Sequence, residues 1–337
     1  MSKFPLLRAP SLVLAKILQL AGPQEIVNLS LCSKRCLKLL TLTRVPTPTD
    51  WHLMLLYGFR PAAIAFYPVS HDYVDLLIVK NASELKPEDT PEYLIMNGHQ
   101  VAVIYEDQCL TTFWEDEILG MKTVINHVSS LFRTDVASLA FNRKGFWTLD
   151  WVNNRQESSL KCGAVVDFRD RWTVAELDHI FRNLRPTESL TMTPRTPRDF
   201  RFNGNLPVCD EVHLLGNWIT INHILAMDAI EIRAQRTKIT SWNLNQFLMY
   251  WLSGGSRRLE YIHIQIRQTV NPREVFGNGV WDYARPVVQE RVYQRGAFGT
   301  IQHFRGGVDL HRGDGIIATI NISPNHFYMA VWTRNNA

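Results

Sequence analysis

The sequence predicts a mixed chain of the α+β / α/β class. A small unit of three helices comes first, a larger mixed domain follows, and an antiparallel meander closes the chain. Three observations carry this. Before residue 43, apolar residues fall at helical spacing in three short blocks. Between residues 188 and 266, runs with period-2 alternation recur among capped helical stretches. From residue 306 onward, alternating runs are separated only by tight turns.

In the first block, Pro10-Ser11 is a helix entry with Ser11 as N-cap. Leu14, Ile17, Leu18 and Ala21 then share one face. Gly22 stops this helix, and Pro23 opens a second one whose apolar side is Ile26, Val27 and Leu29. Ser33 caps a third, basic helix through Lys34, Arg35 and Lys38. Helices this short bury little surface alone. Leu7, Leu12, Val13, Leu20 and Leu31 are left over, to be covered by the rest of the chain or by another protein.

The Pro/Thr cluster TRVPTPTD marks a boundary, so residues 1–43 form the first unit. Residues 51–135 read as a small α+β unit. Its strands are AAIAFY and YVDLLIVKN, then a hairpin of VAVIYED and QCLTTFW with an acidic turn at Glu106-Asp107. A helix over 115–132 turns Leu119, Val124, Ile125, Val128 and Leu131 inward, with His127 beside the stripe as a satisfied histidine.

Residues 136–337 form the third segment. SLAFN, ESLTMT, EVHLLGN, AIEIRA and LEYIHIQI are its strands, and Thr173 and Glu176 make a capping box for the helix over 173–184. A second capped helix spans 239–252 and stops at Gly254-Gly255. VHLLGN fits the L-x-L-x-x-N core of a leucine-rich repeat, and the uneven strand spacing makes the repeat degenerate. The expected form is a curved, mostly parallel sheet with helices on one face. Leu190, Met192, Val212, Leu214, Ile230, Ile232, Ile262, Ile264 and Ile266 point one way, toward the helices. Thr191, Glu211, His213, Glu231, Arg233, Tyr261, His263 and Gln265 point the other way, onto a face suited to holding another macromolecule. Residues 306–332 form the meander, turning at Gly313-Asp314-Gly315 and at Pro324-Asn325.

Composition narrows the function. At 46% hydrophobic and 20% charged over 337 residues, the chain has the balance of a soluble globular protein. A net charge of +4 is too small to argue for nucleic acid. No apolar run approaches the length of a membrane span, so a cytoplasmic and/or nuclear protein is expected. Five scattered cysteines are no disulfide framework; Cys32 and Cys36, at i,i+4, read as small buried residues rather than metal ligands. Phosphate-loop, dinucleotide, zinc-protease and nucleophile-elbow motifs are all missing, and nothing near Cys162 supplies a base. No catalysis, no cofactor and no metal is expected. The triplet Arg312-Gly313-Asp314 reads as a turn. The loop TPRTPRDFRFNG places Arg195, Arg198 and Arg201 on a Pro-stiffened segment. It is a solvated loop, a reader of acidic or phosphorylated segments, or, through its Thr-Pro steps, itself a phosphorylation target.

The first block resembles an F-box, the module that docks onto the Skp adaptor of cullin-based ubiquitin ligases. Ala9-Pro10 stands where Leu-Pro is usual in that family, and SLCSKRC matches its closing run with Ser33 and Cys36 in place of the common Cys and Trp. The opening FPLLR is similar to the nematode version. TTFWEDEILGMKTVINHVSSLF, the step at 244–262 and VDLHRGDGIIATI resemble the type 2 F-box-associated domain that follows the F-box in that nematode family. The resemblance implies a substrate-receptor subunit of a Skp–cullin–F-box ligase. It implies adaptor contacts from Leu7, Pro10, Leu14, Ile17, Leu18, Ile26, Leu29 and Arg35, and a protein substrate held by the third segment. The polar alternates named above, with Arg195 and Arg198, would face that substrate. A ligase-independent scaffold or inhibitor is the alternative.

Overall fold

The computed structural model describes residues 10–43, 51–58, 62–68, 74–106, 109–167, 169–287, 289–295 and 300–332. The FPLLR opening with Leu7, residues 44–50 of the Pro/Thr cluster and Asp107 of the acidic turn lie outside the described residues. The chain divides into two compact units, Met1–Ser158 and Ser159–Ala337.

The first unit begins with α1 (Ser11–Leu20), α2 (Pro23–Cys32) and α3 (Lys34–Thr43). Pro10 itself occupies the N-cap position with extended ψ, so Ser11 is the first helical residue and not the cap. Pro23 sits in the first turn of α2, where its missing N–H costs nothing. Ser33 Oγ accepts from the Cys36 N–H at 3.1 Å and caps α3.

Seven strands follow: β1 (Trp51–Tyr57), β2 (Ala62–Pro68), β3 (Val74–Asn81), β4 (Glu92–Met96), β5 (His99–Glu106), β6 (Cys109–Trp114) and β7 (Val136–Phe141). They run in the order β7-β1-β2-β3-β6-β5-β4. The β1–β7 and β3–β6 pairs are parallel and the others antiparallel. Helix α4 (Glu117–Phe132) packs on β2, β3 and β6, and α5 (Trp147–Arg155) packs on β7. Asp116 caps α4 by accepting from the Ile118 and Leu119 N–H groups. The core beneath α4 joins Phe66 to Phe132 edge-to-face at 4.9 Å.

The second unit opens with β8 (Cys162–Asp167), β9 (Ser189–Pro194), β10 (Glu211–Leu215), β11 (Glu231–Thr237) and β12 (Tyr261–Ile266). All neighbours in this run are parallel and in sequence order. Helices α6 (Val174–Asn183), α7 (Ile221–Ala226) and α8 (Ser241–Leu252) make three of the four crossovers; the chain between β9 and β10 has no helix. The capping box of Thr173 and Glu176 starts α6. A short α9 (Pro272–Val275) follows β12. The sheet continues antiparallel through β18 (His326–Trp332), β17 (Ile317–Ser323), β16 (Val308–His311) and β13 (Ala284–Pro286). A separate hairpin pairs β14 (Arg291–Arg295) with β15 (Thr300–Phe304). Leu190, Met192, Val212, Leu214, Ile232, Ile262, Ile264 and Ile266 of β9 to β12 are buried, as are Leu177 and Phe181 of α6 and Phe247 and Trp251 of α8.

Candidate functional site: an apolar helical surface and a polar sheet face

Two surfaces stand out, one in each unit. In the first, α2 lies against β3, β4 and α4, so part of the leftover apolar surface is covered by the chain itself. Ser30 Oγ and His127 Nε2 are 2.8 Å apart, and the Arg133 guanidinium donates to the Thr41 carbonyl at 3.0 Å. Burial lowers the pKa of His127, which fits a neutral ring held by that hydroxyl.

Among the residues expected to meet an adaptor, Leu14, Leu18 and Ile26 are buried. Ile17 and Leu29 are half-buried, while Pro10 and Arg35 are exposed. What remains outside is Leu12 at 76%, Leu20 at 88% and Leu42 at 71% exposure, with Val13 beside them in sequence. Cys32 is exposed, Cys36 is buried, and both are free thiols; no metal-holding cluster occurs among the described residues.

In the second unit, strand register assembles the polar row. Thr191, His213, Arg233 and His263 are successive Cα partners across β9 to β12, and Tyr328 of β18 extends the row. Each of them is half-buried, as are Glu211 and Gln265. His263 Nε2 lies 2.9 Å from His326 Nδ1, and its ring stacks on Tyr328 at 4.5 Å and 6°. Burial pushes His263 down to about 4, helped by the neighbouring His326, Arg233 and His213. His213 is also lowered, by burial and then by Arg233.

The next row is not presented. Glu231 and Tyr261, both expected on the open face, are each 2% exposed because the β14–β15 hairpin lies over them. Tyr293 stacks on Tyr261 at 4.9 Å and donates its hydroxyl to Glu231 Oε1 at 2.8 Å. Burial nevertheless pushes the Glu231 carboxyl above its ordinary range. Arg291 reinforces the cover, donating to Asp309 Oδ1 at 3.1 Å and Thr319 Oγ1 at 3.0 Å, with Trp332 beneath it. Tyr293, Arg291 and Asp309 were not among the residues the sequence singles out. The only local sign was the alternation in RVYQR, which does not say what the strand covers.

Arg195 and Arg198 leave the C-terminal end of β9 and are exposed. The Arg312-Gly313-Asp314 triplet is a clasp: the buried Arg312 holds Asp314 through Nε and Nη2, both within 2.9 Å, and stacks over Trp251.

A sheet face with donors, acceptors and aromatic edges, plus an apolar helical surface, can hold other molecules by contact. Residues 204–264, which take in β10, α7, β11, α8 and the first four residues of β12, match the family described as F-box associated. A Caenorhabditis elegans protein described as "Skn-1 dependent zygotic transcript 15 protein" is 21% identical over 244 residues, covering 68% of each chain. No solved structure matches the chain. No helix among the described residues is long and apolar enough to cross a membrane.

Proposed function

We propose that this chain is the substrate receptor of a Skp–cullin–F-box ubiquitin ligase, acting in the cytoplasm or nucleus. It carries out no bond chemistry. It tethers a protein substrate near a charged conjugating enzyme and so raises their effective concentration. The carrying observation is the solvent-facing Leu12, Leu20 and Leu42 on α1 and α3, in a chain whose residues 204–264 match the F-box associated family. Large apolar side chains left exposed on these helices gain by being covered by a partner. Pro10 and Arg35 lie outside with them.

A retention assay with a purified Skp-family adaptor tests this. The wild-type chain is expected to hold the adaptor at micromolar concentration. The Leu12→Asp/Leu20→Asp variant should bind at least about thirtyfold more weakly, as losing a hot spot of about 2 kcal/mol or more does. Both residues are exposed, so the fold should survive. Failure of the wild type to retain the adaptor sinks the ligase reading, and equal binding by the variant removes this surface from it. The second reading, a scaffold without a ligase, is favoured by the way Ser30–His127 and Arg133–Thr41 fasten α2 and α3 to their own unit. It predicts no adaptor retention at all.

A further inference from the structure

We infer that Arg171, Arg195 and Arg198 form a docking site for a phosphorylated serine or threonine on a partner protein. This names a substrate class for the receptor proposed above and rests on that reading only for its biological use. The three arginines, with Trp172, Thr196 and Pro197, line one cavity of about 460 Å³. They come from two loops that leave the C-terminal ends of the parallel neighbours β8 and β9.

Both loops are tied to Asp167. Asp167 Oδ1 accepts from the Arg169 and Asp170 N–H groups, which fixes the first. In the second, the Arg195 N–H donates to the Asp167 carbonyl at 2.9 Å. Phe200 and Phe202 then anchor its far end in the core, where they stack on Phe181. The guanidinium groups are exposed, and among the described residues no carboxylate lies within ion-pair distance of any of them. Three like charges around one rigid concavity repel one another and focus positive potential into it.

A phosphomonoester answers that arrangement best. It brings close to two negative charges and three acceptor oxygens, and guanidinium forks pair with such oxygens bidentately. A single glutamate offers half the charge. The arginines are exposed, so a residue on another chain can reach them. The one aromatic ring lining the cavity, Trp172, is buried and gives no platform for stacking bases, which argues against single-stranded nucleic acid. Thr193 is buried and donates to the Val165 carbonyl, so the first Thr-Pro step is a structural element of β9 and not an accessible modification site.

The test uses the full chain and two fluorescein-labelled degenerate peptide pools, alike except that the fixed central Ser/Thr is phosphorylated in one. The phosphorylated pool is expected to bind at least tenfold tighter, with affinity falling steeply as salt rises. In Arg171→Gln/Arg195→Gln/Arg198→Gln that preference should vanish, and three Arg→Lys changes should restore part of it. Equal binding of the pools, a preference that survives in the Gln variant, displacement by inorganic phosphate at peptide-like concentration, or tighter binding of a single-stranded oligonucleotide overturns the proposal. Adaptor retention is measured on the same variant and should be unchanged. Retention without phosphate preference sinks this site alone; phosphate preference without retention sinks the ligase reading and leaves the site.

Discussion

At the residue scale, burial moves several ionisable groups away from their ordinary pKa values. His263 is neutral near pH 7, down at about 4, because burial and the His326–Arg233–His213 surroundings disfavour a further cation. His213, His223 and His127 are lowered as well, each by burial first. A histidine whose folded pKa is depressed stabilises the fold fully above its unfolded value, 6.5. That stability is lost progressively as pH falls from 6.5 toward the folded value, about 4 for His263, where the loss is complete. Glu231 acts the other way, since its raised carboxyl is accommodated better as pH falls. His263 alone, down at about 4 against 6.5 unfolded, should cost roughly 1–2 kcal/mol of stability between pH 7.5 and 5. Urea midpoints across that range check the sign. His263→Phe keeps a ring against Tyr328 and should flatten the slope. An unchanged slope would remove His263 from the linkage.

At the element scale, the contact between α4 and β6 is set by a single missing side chain. A Cβ on Gly120 would lie 2.4 Å from Cγ of Trp114. Trp114 is buried and its Nε1 donates to Thr112 Oγ1 at 2.9 Å, so it has little room to retreat. Helix propensity favours alanine by about 1 kcal/mol. Overpacking costs about 1–3 kcal/mol and should win. Gly120→Ala is therefore expected to lower the thermal unfolding midpoint, and an equal or higher midpoint would show that the helix can shift. Elements with local punctuation were legible in the sequence: α4, α6 and α8 are long and polar-capped, by Asp116, Thr173 and Thr240. The unread ones lack such marks. WHLMLLY shows no clean alternation because β1 lies between β2 and β7. α5 has Phe146 at its N-cap position and no side-chain cap, and α7 spans only six residues. The row Thr191–His213–Arg233–His263 was readable because parallel register keeps period-2 partners together. The cover over Glu231 was not, because Tyr293 is 62 positions away in sequence and its pairing has no local signature.

At the scale of the whole molecule, the two proposed surfaces share no residue and belong to different compact units, Met1–Ser158 and Ser159–Ala337. Tethering needs nothing more: a receptor raises effective concentration by holding two partners at once, without either altering the affinity of the other. Independent sites have additive free energies within about 0.5 kcal/mol, whereas sites joined through a two-state element show coupling of about 1–3 kcal/mol. Adaptor binding is therefore expected to be the same with and without saturating phosphorylated peptide, within about twofold. A variant combining Leu12→Asp and Leu20→Asp with the three Arg→Gln changes should show the sum of the separate losses. Calorimetry of the adaptor at both extremes of peptide occupancy reads this directly. A tenfold change in adaptor affinity on peptide binding, about 1.4 kcal/mol of coupling, would mean that the molecule works as a substrate-gated switch and not as a passive tether.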